Sequence, residues 1–127
     1  MTVDEATLND LSHRVIGSAL VVINTLGIGF VEKVYENALA RELRKSGLAV
    51  VQQRDVTVWY DGAVVGDYTV DLLVEGVLMV ELKAIKVLDT IHRAQCLNYL
   101  KATGLRLCLL INFGVPGLVI KRVVNGL

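Results

Sequence analysis

Apolar residues at Leu8, Leu11, Val15, Ala19, Val22 and Leu26 recur every three or four positions, which predicts an amphipathic helix. Thr2, with Glu5 three residues on, forms a capping-box pattern at its start. The stretch NTLGIG, residues 24–29, breaks the periodicity. A second helix is predicted from Phe30 to Lys45, stopped by Ser46-Gly47. Beyond it the pattern shortens to strand period. VVQQRDVTVWY predicts a strand, and Asp61-Gly62 predicts a two-residue hairpin turn. AVVGDYTVDLLV and VLMVELKAI predict a second and a third strand. Asp89 or Thr90 caps a third helix running to Thr103. LRLCLLINF reads as a buried strand, and LVIKRVV, after Pro116, as the last strand. The order α-α-β-β-β-α-β-β, without linker, repeat or low-complexity stretch, describes one α/β (α+β) domain.

The length of 127 residues suits a single domain spanning 1–127. A chain of this size buries roughly two-thirds of its unfolded surface, so its core needs no disulfide or structural zinc. Cys96 and Cys108 form no CxxC pair, and His13 and His92 are the only histidines, which argues against a zinc site. Two cysteines among apolar neighbours read as reduced core residues, and the expected location is the cytoplasm. Val15 to Val31 is free of charge, yet it contains Ser18, Asn24, Thr25 and three glycines. It follows an acidic segment, so a buried helix and loop is expected and a membrane span is not.

Acidic and basic residues number 13 each, so no net field draws the whole molecule to nucleic acid. Their distribution is uneven. Met1 to Glu81 holds 12 acids and 6 bases, whereas Leu82 to Leu127 holds 7 bases and only Asp89 as an acid. A basic C-terminal part suits a phosphate backbone and equally an ordinary dipolar surface.

Three charges interrupt otherwise apolar strands between Tyr68 and Ala84: Asp71, Glu81 and Lys83. An unpaired buried charge costs several kcal/mol or shifts its pKa. These residues are therefore either a salt-bridged structural triad or a site. Side-chain alternation puts Glu81 and Lys83 on one face of their strand. A two-residue loop at Glu75-Gly76 sets Asp71 opposite Val80, on the wrong face. A three-residue loop, Glu75 to Val77, sets Asp71 opposite Glu81, and a bulge gives the same parity. With that loop, two close carboxylates form a seat for a hard divalent cation, and the lysine steadies a phosphoryl transition state. In the third helix Gln95 and Tyr99 share a face, and in the second Glu32 shares one with Tyr35, just after Gly29.

Asp71 followed by Glu81-Leu82-Lys83, on two strands set between helices, resembles the PD-(D/E)xK nuclease superfamily. QCLNY, Gln95 to Tyr99, looks like the QxxxY element of its helicase-associated exonuclease branch. GFVEKVY, Gly29 to Tyr35, resembles the signature of the bacterial GxxExxY family, and NYLKATGLRLCLLINFG is also similar to that family. Val70 departs from the pattern, standing where the superfamily often has proline.

The resemblance implies a restriction-endonuclease-like core, a mixed sheet flanked by helices. It implies a nuclease with Mg²⁺ or Mn²⁺ held by Asp71 and Glu81, Lys83 assisting, and Glu32, Gln95 and Tyr99 as further site residues, Glu32 being a third candidate carboxylate for the metal. DNA is the expected substrate, with Lys86, Arg93 and Lys101 flanking the cleft. So small a chain leaves little room for a specificity domain, which leaves a homodimer or a partner protein to provide it. The competing readings are a catalytically silent nucleic-acid-binding or protein-interaction module on the same fold, and a plain structural domain in which the triad is paired and closed to solvent.

Overall fold

The computed structural model describes residues 3–127. The element order is the expected one: α1 (Glu5–Leu26), α2 (Glu32–Lys45), β1 (Val50–Tyr60), β2 (Ala63–Val74), β3 (Leu78–Lys83), α3 (Thr90–Thr103), β4 (Leu107–Asn112) and β5 (Val119–Val124). The strands form one mixed sheet in sequence order, β1-β2-β3-β4-β5. All neighbours are antiparallel except β3 and β4, and α3 provides the crossover that a parallel pair requires.

Helices cover both faces. Leu8, Val15 and Val22 of α1 and Tyr35, Leu39 and Leu43 of α2 pack with Leu72, Val80, Leu82, Leu109 and Ile111 on one face. On the other, Cys96 and Leu100 of α3 pack with Val56, Val70, Met79, Cys108 and Leu110. β3 and β4 are buried on both faces, as near-continuous apolar runs require. Among the described residues, no helix is long and apolar enough to cross a membrane.

Two helix starts differ from the sequence-based expectation. The N-cap of α1 is Asp4, whose side chain accepts from Thr7 N at 2.8 Å, while Thr2 lies outside the described residues. Aspartate caps as well as threonine and lies directly before the first helical residue. α2 begins at Glu32, two residues later than expected, because Val31 stays extended. The Tyr35 hydroxyl holds that entry: it donates to Gly27 O at 2.6 Å and accepts from Phe30 N at 3.2 Å. Gly29 sits at φ 109°, a conformation that favours glycine.

The first hairpin has the expected two-residue turn, and the second takes one of the loops left open by the sequence. Asp61 and Gly62 have φ values of 52° and 76°, as a primed two-residue turn demands. The β2–β3 loop is the three-residue one. Val74 pairs with Leu78, and Glu75 and Gly76 both lie in the left-handed region, at 52° and 69°.

Candidate active site

From the β2–β3 loop, the two strands pair over three rungs and then separate. The last rung is Leu72 with Val80. At the next position the carboxylates of Asp71 and Glu81 replace the ladder. Asp71 N donates to Glu81 Oε1 at 2.8 Å, and Leu82 N donates to Asp71 Oδ2 at 2.8 Å. Each side chain thus satisfies a backbone donor that the parting strands would otherwise orphan.

Strand alternation also breaks here. Leu72 and Val74 face α1 and α2, but Val70 packs on the α3 side. Across from Asp71, flanked by the pairs Gln52–Leu72 and Arg54–Val70, Gln53 sits at φ 55°. A non-glycine residue in that region is uncommon and costs of order 1–3 kcal/mol, which the surroundings must offset. The offset is visible. Gln53 Nε2 donates to Glu36 Oε1 at 2.6 Å and to Asp71 Oδ1 at 3.2 Å. Glu36 is only 2% exposed, and it also accepts from Gln52 Nε2 at 2.7 Å and Lys33 Nζ at 2.8 Å. Asp71 is therefore clamped from both sides, by Leu82 and by Gln53.

Burial pushes the Glu81 carboxyl up to about 8, with the Asp71 charge as the next cause. Asp71 is also raised by burial, against the lowering bonds from Leu82 and Gln53. Glu32 is raised by burial and then by the Asp71 charge. The Lys83 ammonium opposes all three rises, so one lysine and three carboxylates share a field. Lys83 nevertheless makes no ion pair. Among the described residues the salt bridges are Lys33–Glu36 and Lys45–Glu42. A paired, closed structural triad of Asp71, Glu81 and Lys83 is not what the chain builds.

No three His, Cys, Asp or Glu side chains among the described residues gather into one metal-ligating group. The charge of Asp71 nonetheless raises the Glu32 carboxyl, and that of Glu32 raises Glu81. Two adjacent carboxyl groups, Asp71 and Glu81, fit Mg²⁺ or Mn²⁺, hard ions that favour the ionised forms, take one or two carboxylates and keep several waters.

On the α3 side, a cleft of about 440 Å³ is lined by Val58, Tyr68, Gln95, Asn98, Tyr99 and Lys101, with Ala102. Tyr99 packs against the cluster that holds Val70 and Met79, on the strands of Asp71 and Glu81, and its phenol is raised by burial and then by the charge of Glu81. Gln95, Tyr99 and Lys101 are thus brought together. Lys86 and Arg93 are exposed and lie outside this lining, and so does Glu32, which neighbours the carboxylates through α2.

Sequence reasoning missed four residues. Glu36 and Gln53 brace Asp71. Asn112 closes on the segment after Lys83: its Oδ1 accepts from Ile85 N at 3.1 Å and Gly114 N at 2.9 Å, and its Nδ2 donates to Ile85 O at 2.8 Å. Gly114 lets the two segments touch, since a Cβ there falls 2.1 Å from Ile85 O. The available signal was a polar Asn112 ending a run of apolar strand residues, with glycine two positions on.

A family model described as the PD-(D/E)XK nuclease superfamily matches residues 9–123. The chain belongs to that superfamily. Its fold is also similar to the crystal structure of an alkaline exonuclease (LHK-Exo) from Laribacter hongkongensis, with a TM-score of 0.47 and 17% identity, over 98% of this chain and 72% of that one. No curated protein matches the chain.

Proposed function

We propose that the chain hydrolyses phosphodiester bonds in DNA, using Mg²⁺ or Mn²⁺ held by Asp71 and Glu81, and that it is a GxxExxY-type member of its superfamily. The observation that carries this reading is the crossed Asp71–Glu81 pair with an unpaired Lys83 in the same field. When bound, the ion supplies Lewis acidity at the scissile phosphate. Lys83, free of a salt-bridge partner, stabilises negative charge developing on the phosphoryl oxygens. Glu32, its carboxyl raised, is suited to hold or accept a proton beside the reacting water. Gln95 and Tyr99 orient the substrate from α3, and Lys101, with Lys86 and Arg93 further out, contacts the phosphate backbone. The GxxExxY assignment is supported by Gly29 at positive φ and by Tyr35 fixing the turn that presents Glu32.

Single- and double-stranded DNA and RNA, each incubated with the protein in Mg²⁺, Mn²⁺ or EDTA, test this. DNA should be cleaved only with a divalent ion, and Glu81→Gln should abolish cleavage. Absence of cleavage of every substrate under every condition overturns the nuclease reading in favour of a silent binding module. Cleavage of RNA alone overturns the choice of DNA.

A further inference from the structure

We propose that the cleft between β2 and α3 is a seat for an unpaired base of a single-stranded nucleic acid, with the exposed face of Tyr68 as its stacking platform and Tyr99 backing that ring. The proposal rests on the nuclease reading and narrows its substrate to strands that present single-stranded character at the carboxylates.

Tyr68 comes from β2 and Tyr99 from α3, on opposite sides of the opening. Their ring centroids are 5.7 Å apart and their planes are inclined at 45°. The rings are splayed, not packed flat, and Tyr68 is 52% exposed. With about half of its surface open to solvent, Tyr68 can take a planar group on its outer face. Stacked on a planar base, it gains what solvent denies it, because every base carries a π-face.

The remaining lining suits the rest of a nucleotide. Gln95, Asn98, Tyr99 and Ala102 fall on one face of α3 at helical spacing. The two amides each carry donors and an acceptor, the complement of a base edge. Lys101 supplies the charge that a phosphate backbone requires. A volume of about 440 Å³ is that of a small-molecule pocket, matched to single groups and not to a helix or a second protein. Among nucleic acids, a duplex keeps its base faces stacked internally and offers the two tyrosines nothing to stack upon. The cleft also adjoins the strands that carry the carboxylates, since Tyr99 packs against the cluster holding Val70, next to Asp71, and Met79, two residues before Glu81. A base stacked on Tyr68 at this place therefore sets the register of the neighbouring phosphodiester.

The test measures binding without hydrolysis. Anisotropy of a fluorescently labelled oligothymidylate is followed in EDTA for wild type, Tyr68→Ala and Tyr68→Phe. The same is done with a duplex of equal length and with a strand of equal length made of abasic sites. The single strand should bind more tightly than the duplex. Tyr68→Ala should weaken single-strand binding about 5- to 100-fold, and Tyr68→Phe, which keeps the ring, should restore it. The abasic strand should bind weakly to wild type and be indifferent to Tyr68→Ala, an outcome that loss of folding cannot imitate. Unchanged single-strand affinity in Tyr68→Ala, or tighter binding of the duplex, overturns the proposal. Cleavage in Mn²⁺ is scored separately. Base-dependent binding without any cleavage defeats the nuclease reading and leaves the stacking seat standing, whereas cleavage with no effect of Tyr68→Ala on binding does the reverse.

Discussion

Gln53 reaches Asp71 from a backbone position that few side chains accept. Its Nε2 lies 3.2 Å from Asp71 Oδ1 while its own φ is 55°. The same amide satisfies the buried Glu36. Gln53→Ala removes both hydrogen bonds and keeps the strain, so it should destabilise the fold by about 1–3 kcal/mol. Gln53→Gly loses the same bonds but relieves the left-handed backbone, which costs a non-glycine residue roughly 1–2 kcal/mol. Urea denaturation should therefore rank Gly above Ala at this strand position, the opposite of the ordinary order in strands. If Ala proves the more stable of the two, the strain at Gln53 is not real.

Glu81 makes the metal-free protein sensitive to pH. Unfolded, it ionises near the ordinary 4.5, whereas folded it keeps its proton to about 8. Below 4.5 it is protonated in both states and costs nothing. Between 4.5 and 8 only the folded state holds the proton, so this residue's contribution to stability falls as pH rises, by at most about 1.4 kcal/mol per pH unit. Melting temperatures in EDTA should decline from pH 5 to pH 8 for wild type and decline less for Glu81→Gln. Equal slopes for the two proteins would exclude Glu81 as the source.

A divalent ion should reverse that loss. It favours the ionised carboxylate pair and binds only the folded arrangement. Such linkage stabilises by about 2.7 kcal/mol at a concentration roughly a hundred times the dissociation constant. In thermal melts at pH 8, Mn²⁺ should raise the wild-type transition and leave Glu81→Gln where it was. The variant itself should fold well, because a glutamine Oε1 can still accept from Asp71 N. A wild type that ignores Mn²⁺ would remove the metal from the mechanism.

Much of this arrangement was legible in the chain. Apolar pattern marked the first helix and the strands, cap and stop residues marked the other two helices, and the Asp61-Gly62 and Glu75-Gly76 pairs announced both hairpins because positive φ narrows the choice of residue. Strand parity showed that Asp71 meets Glu81 only across a three-residue loop or a bulge, and it did not choose between these and the two-residue loop. Local pattern could not reveal the break in alternation at Asp71, which needs the strained Gln53 across the ladder and Glu36 from a helix. Nothing near Gln53 in sequence names Asp71, 18 positions away, as its partner. The Thr2 capping box was misleading for a related reason. Two good capping residues lie within three positions, and their propensities do not choose between them.

Gly114 offers a test of the scaffold behind Lys83. A Cβ at this position would stand 2.1 Å from Ile85 O and 2.3 Å from Ile85 N, and both are backbone atoms that cannot swing aside. Gly114→Ala must push away the Ile85 segment that Asn112 holds through two hydrogen bonds, and it disturbs the third, from Gly114 N to Asn112 Oδ1. The expected loss is about 1–3 kcal/mol from overpacking, seen as a lower urea midpoint with an unchanged slope. Nuclease activity should fall as well, since Lys83 ends the strand that leads into Ile85. A variant as stable as wild type would show that the contact yields easily.

Lys83 separates a site from a structural cluster. Were it the cation of a buried triad, its removal would leave two uncompensated carboxylates and cost roughly 3–5 kcal/mol. It is half-buried, forms no ion pair, and lowers the carboxyl pKa values only through space. Lys83→Met keeps the length and the apolar stem and removes only the charge. Loss of that charge lets Glu81 and Asp71 hold their protons slightly longer, a change the metal-free fold absorbs. The variant should melt within about 1 kcal/mol of wild type, while cleavage in Mn²⁺ should drop by about 10²–10³-fold, the usual cost of one missing group that stabilises transition-state charge. Parallel urea titrations and initial rates on the same DNA decide it. A large loss of stability with proportionate loss of activity would make Lys83 structural, whereas intact folding with activity lost assigns its ammonium to the reaction.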